Sequence, residues 1–277
     1  MPRWVPALPF QERDQLPISA ADVFKAMQTQ ARVVWALMLR ETLSRYGDFK
    51  IGFLWAFIEP FLTVMVFVLV FAATRTDSPG GMPLIQFMLT GFVSFSLFKD
   101  PLSQMQGAVA QNKNILAFPQ VTTFDVLTAR ALLEAAISTF VLAFMLSMAH
   151  LFGYHSNIEN PLGVVAVLAL MAIMGTGLGF LIASIEPIIP SLRKIVNVLT
   201  GRPLFLGSGL FYVAESIPSQ VREYFLYNPV LHCMELLRSE YFYEFDTAYG
   251  SWSYVIAWAF GSLAIGLAAH RGLRRKI

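Results

Sequence analysis

The sequence predicts an all-α membrane protein with six transmembrane helices and both chain ends in the cytoplasm. Of its 277 residues, 56% are hydrophobic and only 14% are charged, whereas soluble domains carry about a quarter charged residues. Because basic residues concentrate in the cytoplasmic connections of membrane proteins, the distribution of Lys and Arg predicts the orientation as well. Sixteen of the twenty basic residues fall in four segments that alternate with apolar runs, namely 1–53, 99–130, 185–194 and 270–277.

Six apolar stretches approach the length of about 20 residues that a helix needs to cross a bilayer. They divide the chain into a cytoplasmic N-terminal segment, residues 1–50, and a membrane domain, residues 51–277. The second stretch is short, so we expect its helix to continue past Lys99 into the cytoplasm. The predicted spans are 52–74, 84–98, 127–152, 162–184, 194–213 and 251–270.

An amphipathic helix is predicted before the first span. Ser19 and Asp22 are typical of a helix start. Apolar residues then recur every three to four positions between polar and basic ones, at Phe24, Met27, Ala31, Val34 and Met38. This pattern is typical of a helix lying on the cytoplasmic leaflet, although a helix that packs on a soluble partner has the same pattern.

Residues 214–250 form a longer outward connection that is aromatic and amphipathic. The segment is too short and too charged to cross the bilayer. It predicts one or two periplasmic re-entrant helices that dip into the outer leaflet before the last span. A helical cap above the membrane is the alternative.

Several classes of site are not predicted. The chain has no G-x-x-x-x-G-K-[ST] phosphate-binding loop and no G-x-S-x-G nucleophile elbow. Its four histidines form no H-x-x-x-H pair, and Cys233 is its one cysteine, so neither a metal site nor an internal disulfide is expected. The net charge of +2 is too small to indicate a nucleic-acid partner. A catalytic site and a bound cofactor are therefore not expected in this chain.

Ionisable residues within predicted spans are costly and usually face protein or water. Glu59, which precedes a helix-kinking proline, and Arg202 are candidates for a transport path, with a structural ion pair or snorkelling as the alternative. Arg130 and Glu134 lie four residues apart, so they share a helix face and are expected to pair. Glycines of the fourth span, Gly175, Gly177 and Gly179, are expected to permit close helix packing.

Aromatic residues supply a further set of candidates. Their flat faces suit sugar rings, because the C–H groups of a sugar pack on an aromatic ring without requiring hydrogen bonds in one fixed register. A polysaccharide could therefore slide along such a surface. We expect four aromatic residues of the first and fifth spans to line such a path, with ordinary helix packing as the alternative: Trp55, Phe57, Phe205 and Tyr212. Three basic residues before the first span are expected to form a cytoplasmic collar that receives an anionic substrate, with topology control as the alternative: Arg40, Arg45 and Lys50.

Four stretches, taken in order, resemble one known family. They are RETLSRYGDFKIGFLWAFIEPF from Arg40, LTGFVSFSLFKDPL from Leu89, NKNILAFP from Asn112, and SGLFYVAESIP from Ser208 with YNPVLHCMELLRSEYF after it. Together they resemble the type-2 ABC exporter permeases that move polysaccharides, most closely the inner-membrane permeases of bacterial capsule export. The resemblance covers nearly the whole chain after residue 30.

This resemblance implies a transporter subunit without its own ATPase. Such a permease forms a homodimer, pairs with two copies of an ABC ATPase that bind ATP and magnesium, and moves a lipid-linked polysaccharide. Periplasmic co-polymerase and outer-membrane exporter partners are implied as well. The second cytoplasmic connection is expected to dock the ATPase through Gln111, Asn112, Lys113 and Asn114.

Other functions remain open from the sequence. An ABC permease for O-antigen, teichoic acid or a small molecule would have the same general features. A membrane-bound glycosyl- or acyltransferase would need a convergent acid, base or nucleophile set, which the sequence does not display. An ungated channel would not need a large cytoplasmic connection.

Overall fold

The computed structural model describes residues 20–46, 52–74, 79–154 and 158–273, and in these ranges the protein is helical and without strands. Short 3₁₀ turns precede α2, α3 and α10. The helices are α1 (Ala20–Tyr46), α2 (Trp55–Thr74), α3 (Leu84–Met105), α4 (Ala108–Gln111), α5 (Lys113–Leu116), α6 (Thr123–Leu151), α7 (Pro161–Ile185), α8 (Ser191–Thr200), α9 (Arg202–Gly207), α10 (Ser219–Phe225), α11 (Pro229–Tyr241) and α12 (Trp252–Leu273).

Four helices of the described chain are long and apolar enough to cross a membrane. They are α6, α7, α12 and the Phe57–Thr74 part of α2, and they coincide with the predicted first, third, fourth and sixth spans. The second predicted span is α3, which continues past Lys99 to Met105 as expected. The predicted membrane class and its all-α fold are therefore confirmed.

The predicted fifth span, 194–213, is not one continuous helix. The chain forms α8, breaks at Gly201, forms the six-residue α9 and leaves the helix at Ser208. Pro203 explains the break, because it has no N–H to bond the carbonyl of Leu199 and its ring would clash there. Gly209 then takes a φ of +74°, a left-handed conformation that favours glycine and lets the chain turn back.

Helices α3, α6, α7 and α12 form the core of the bundle. Glycines allow the closest approaches: a Cβ at Gly175 would lie 2.1 Å from the carbonyl oxygen of Phe98 on α3. A Cβ at Gly266 on α12 would lie 2.2 Å from the carbonyl oxygen of Gly177 on α7. These distances are too short for any side chain, so the predicted packing role of the glycines in the fourth span is confirmed.

Residues 214–250, predicted to form an outward connection, contain α10 and α11, in keeping with the one or two helices predicted there. Helix α11 is mostly buried and packs against α3, α7 and α12. Its C-terminal end also holds the loop before α7, because the N–H of Asn160 donates to the carbonyl of Glu240 at 2.9 Å. The connection is thus built into the bundle rather than attached to it by α10 alone.

The bundle has two ends that carry different structures. At one, which we call the α4 end, α1 and the last turn of α12 both meet the start of α6, through Gln30 with Asp125 and His270 with Thr123. At the opposite end, the α11 end, lie α10, α11 and the loop between α6 and α7. Helix α1 and the C-terminal end of α12 therefore share one end of the molecule.

Candidate functional site

Helix α1 is fastened to α6 by two ion pairs that cross between the helices. The Arg45 guanidinium donates to the Glu134 carboxylate at 2.6 Å, and Arg130 pairs with Glu41 at 3.0 Å. The predicted pairing of Arg130 with Glu134 is therefore wrong. The two residues share a face of α6 as expected, but each side chain reaches a residue of opposite charge on α1, which the spacing along α6 does not reveal. We call these four residues the α1–α6 junction.

The same junction holds the short helix α4. Arg130 also donates to the carbonyl oxygen of Gln104 and to the side chain of Gln111, both at 2.8 Å. On α1, Arg40 donates to the side chain of Asn112 at 2.9 Å, and Asn112 is buried. Arg40, predicted to receive substrate, thus contacts a residue that was predicted to dock the ATPase.

The other predicted docking residues, Lys113 and Asn114, are exposed on α5. Phe118 follows in the next turn and is 63% exposed, which is high for so large an apolar side chain. Leu116 instead packs against a small buried cluster formed by α3, α4, α6 and α7. The α4–α5 connection therefore presents a polar and aromatic surface at the end of the bundle, and Leu116 anchors the connection to the buried cluster.

A cleft of about 430 Å³ opens beside the α1–α6 junction, between α2, α3, α6 and α9. This volume lies within the range of about 300–1,000 Å³ typical of ligand pockets. Four of the residues predicted for the substrate path line it, which are Arg45, Trp55, Glu59 and Phe205.

The charges that line the cleft are mixed. Lys99 and Arg45 are its cations, whereas Glu59, Asp100 and Glu134 are its carboxylates. Arg45 is engaged with Glu134, so it is not a free cation facing an incoming substrate. Of the predicted collar, Arg40 contacts Asn112 and Arg45 contacts Glu134. Lys50 lies outside the described residues, so the collar stays a prediction.

The aromatic residues predicted for the path lie in different surroundings. Phe205 belongs to a packed group and contacts the rings of Phe92 and Phe95 on α3 at centroid distances of 5.5 and 5.8 Å. Phe57 faces α6, where its ring meets that of Phe144 at 5.1 Å, and it does not line the cleft. Trp55 is 45% exposed at the cleft mouth.

Tyr212 and Arg202, two further predicted path residues, also lie away from the cleft. Tyr212 follows the chain reversal after α9, where its hydroxyl donates to the carbonyl of Leu206 at 2.9 Å and its ring contacts Phe225. Arg202 is exposed at the first residue of α9. The structure thus brings four of the predicted path residues together at the cleft, whereas Arg40, Phe57, Arg202 and Tyr212 lie elsewhere on α1, α2, α9 and the segment after α9.

Arg238 on α11 is an important residue that the sequence reasoning did not single out. It is fully buried, and its guanidinium donates to the carbonyls of Gly209, Tyr212 and Leu210 at 2.7 to 3.2 Å. It also lies 3.8 Å above the ring centroid of Phe87, a cation–π arrangement. Arg238 therefore fixes the reversal from which α9 and Tyr212 project.

Glu235 supports the same segment from the preceding turn of α11. Its carboxylate accepts from the backbone N–H of Ala214 and from the Thr247 hydroxyl, both at 2.8 Å. Glu235 and Arg238 lie three residues apart in PVLHCMELLR, where every other residue except His232 is apolar. Two opposite charges at that spacing on a buried helix face are the sequence signal that would have indicated them.

These observations define a polytopic helical membrane protein in which polar side chains tie an N-terminal helix and a short connecting helix to one end of the bundle. Residues 32–242 match the model of the ABC-2 type transporter family. The match spans most of the chain, and the protein belongs to this family, as the sequence resemblance indicated.

Named relatives of this chain are capsule export and polysialic acid transport proteins. The chain is 31% identical over 248 residues to the capsule polysaccharide export inner-membrane protein CtrC of Neisseria meningitidis serogroup B, which covers 88% of this chain and 92% of CtrC. It is 30% identical over 246 residues to the polysialic acid transport protein KpsM of Escherichia coli, with 88% and 94% covered. It is 28% identical over 253 residues to BexB of Haemophilus influenzae, a protein of the same description as CtrC, with 91% and 95% covered.

Proposed function

We propose that this chain is the membrane permease of an exporter that moves capsular polysaccharide across the bacterial inner membrane. The observation that carries the proposal is the alignment with CtrC, KpsM and BexB, which spans about nine tenths of this chain and of each relative. A shared single domain would leave large parts of one chain unmatched. The cargo of the transporter is therefore proposed to be of the kind that these relatives are named for.

The proposed topology has six crossings with both ends in the cytoplasm. Helices α2, α6, α7 and α12 meet the length and apolarity of a span, and α3 and the broken α8–α9 segment complete the set. The α4 end, which carries most of the basic residues that the structure describes, then faces the cytoplasm. Helices α10 and α11 face the periplasm and lie at the depth of the outer leaflet.

Helix α1 would then lie on the cytoplasmic leaflet, as its sequence pattern suggested. One face is held by the α1–α6 junction, and a neighbouring face carries exposed apolar side chains. Among them, Phe24 is 62% exposed, Trp35 60% and Leu43 71%. Such a stripe is stable next to acyl chains and costly in water.

Energy for export is assigned to a separate ABC ATPase, because the chain has no phosphate-binding loop. Two ATPase subunits, each binding ATP and magnesium, would dock on the α4–α5 connection of a permease homodimer. The exposed side chains of Lys113, Asn114 and Phe118 supply the polar and aromatic contacts of that surface.

The dimer face is proposed on α2 and α8. Helix α2 packs on α3 and α6 along one side only. On its other side, Phe61 is 51% exposed, Val66 56% and Leu69 63%. Helix α8 has no buried residue, and Val198 is 68% exposed. Joining two copies along these faces would bring the two clefts toward one central path for a lipid-linked polymer. In the capsule setting, a periplasmic co-polymerase and an outer-membrane exporter would continue that path.

Deletion and purification test this proposal together. Cells lacking the chain are expected to retain polysaccharide inside and to lose it from the surface, and the wild-type gene is expected to restore export. The purified chain alone should not hydrolyse ATP, whereas it should co-purify with an ABC ATPase. Loss of a different surface polymer, such as O-antigen, with normal capsule would contradict the assigned cargo but not the family.

A further inference from the structure

Glu186 joins three elements at the α4 end, which are the end of α7, the turn between α3 and α4, and helix α8. It follows the last residue of α7, and its carboxylate accepts a hydrogen bond from the backbone N–H of Gly107 at 2.7 Å. Gly107 is the turn between α3 and α4 and has a φ of +71°. The carboxylate thus binds the backbone of the turn that leads into the proposed docking connection.

Arg193 on α8 contacts the same carboxylate of Glu186. Its guanidinium lies 3.8 Å from the second carboxylate oxygen of Glu186. A Cβ placed on Gly107 would lie 2.8 Å from the same guanidinium, so Arg193 rests directly on the turn. We call Gly107, Glu186 and Arg193 the α4–α8 link.

The elements on either side of this link differ in how firmly they are held. Helix α7 is tightly packed, because Gly175 and Gly177 bring it against the backbones of α3 and α12. Helix α8 has no buried residue and is followed by the break at Gly201. Within the described chain, a displacement at the α4 turn therefore meets a fixed helix on one side and a weakly held one on the other.

Helix α8 leads to the cleft. Beyond Gly201, α9 carries Phe205, which lines the cleft and packs on α3. A shift of α8 would therefore displace Phe205, which belongs to the proposed path. Helix α7 would not move with it, because it is tightly packed. We propose that Glu186 and Arg193 are positioning residues that pass an ATPase-driven displacement of the α4 turn to α8 and so to the cleft. This inference rests on the proposed function, since it requires an ATPase that docks on α4–α5.

Simple stabilisation is the competing explanation, and it predicts a small effect. The Arg193 side chain is 46% exposed and that of Glu186 is 16% exposed, and an ion pair with one partner so exposed contributes little to stability. Removing such a pair should leave the folded complex intact. A loss of transport in an intact, ATP-hydrolysing complex would then have to arise from lost transmission.

The test uses the whole permease–ATPase complex in membranes. Glu186→Ala removes the acceptor for Gly107 and the partner of Arg193, whereas Glu186→Gln keeps an acceptor and removes the charge. Arg193→Gln removes the cation. Lys194→Gln is the matched control, because Lys194 is a neighbouring exposed residue and its substitution removes the same charge. Export is expected to fall by about tenfold in Glu186→Ala and Arg193→Gln, less in Glu186→Gln, and not in Lys194→Gln, since coupling of this kind spans about 5- to 150-fold.

ATP hydrolysis and the mobility of α8 separate transmission from folding. Hydrolysis is expected to persist in every variant. A spin label at Asn197→Cys, an exposed polar position on α8, should change its spectrum between nucleotide-free and vanadate-trapped complexes, and this change should vanish in Glu186→Ala. The native Cys233 is buried and does not compete for label.

Unchanged export in Glu186→Ala, or a persistent spectral change, would overturn the inference. So would export and hydrolysis falling together in both the Ala and the Gln variants. A wild-type chain that binds no ATPase would instead overturn the proposed function, which distinguishes the two failures.

Discussion

Arg238 shows how one buried side chain can determine the course of a membrane segment. Three backbone carbonyls after α9 have no helical partner, and the guanidinium of Arg238 satisfies them. A polar group buried without such a partner costs about 1–3 kcal/mol. The chain reversal at Gly209 is therefore stabilised from α11 and not by local turn chemistry alone.

Replacing this guanidinium should destabilise the fold. Arg238→Met keeps most of the volume but leaves the three carbonyls unsatisfied, so we expect the free energy of unfolding to fall by about 3 kcal/mol. Thermal unfolding of the purified protein in detergent measures the change. Arg271→Met is the matched control because Arg271 is exposed, and its melting temperature should stay near that of the wild type. Equal melting of both variants would show that Arg238 does not hold the reversal.

The Arg45–Glu134 pair makes a second prediction, about the hold on α1. Glu134 is 5% exposed in its side chain, so Glu134→Gln leaves a partly buried arginine without its closest carboxylate. Amide hydrogen exchange in α1 is expected to accelerate by about tenfold, since local opening becomes easier. Glu159→Gln, an exposed residue at the α11 end, should not change exchange in α1. Unaltered exchange in Glu134→Gln would mean that packing alone retains the helix.

Helix-level features were predictable where local signals decide them. The charge of Lys99 marked where α3 leaves its apolar stretch, and the glycines of α7 marked close packing. The partners of Arg130 and Glu134 were not predictable, because they depend on how α1 approaches α6 in three dimensions. The break in the fifth span lay within reach of sequence reasoning, since Pro203 cannot continue a helix, but hydrophobicity alone concealed it.

The α7–α12 contact yields a prediction with a control on the same helix. A Cβ at Gly266 would lie 2.2 Å from the carbonyl oxygen of Gly177, whereas a Cβ at Gly261 would meet no atom within 4 Å. Gly266→Ala should therefore lower the free energy of unfolding by about 1–3 kcal/mol through overpacking. Gly261→Ala should be neutral or stabilising by up to about 1 kcal/mol, because alanine favours helix. Thermal unfolding of the two variants compares them, and a Gly266→Ala variant as stable as the Gly261→Ala variant would contradict the packing seen here.

At the scale of the whole molecule, the two ends of the bundle carry different structural features. The α4 end gathers α1, the α1–α6 junction, the α4–α8 link and the cleft mouth. The α11 end gathers the helices that fix the reversal after α9. Segment α8–α9 runs from the link at the first end toward the backbone carbonyls that Arg238 holds at the second. Its break at Gly201 lies between these two points and separates two helices that have no buried residue.

The orientation of this arrangement can be measured directly with single cysteines. Asn114 is exposed at the α4 end, and Tyr243 is exposed at the α11 end, whereas the native Cys233 is buried and should stay unlabelled. If basic connections face the cytoplasm, a thiol reagent that cannot cross the inner membrane should label Tyr243→Cys in intact cells and Asn114→Cys only after permeabilisation. Both variants must first restore export in a strain lacking the chain, which shows that the label reports on the native topology. Labelling of Asn114→Cys in intact cells would reverse the bundle, and it would then separate the α4–α5 connection from any cytoplasmic ATPase.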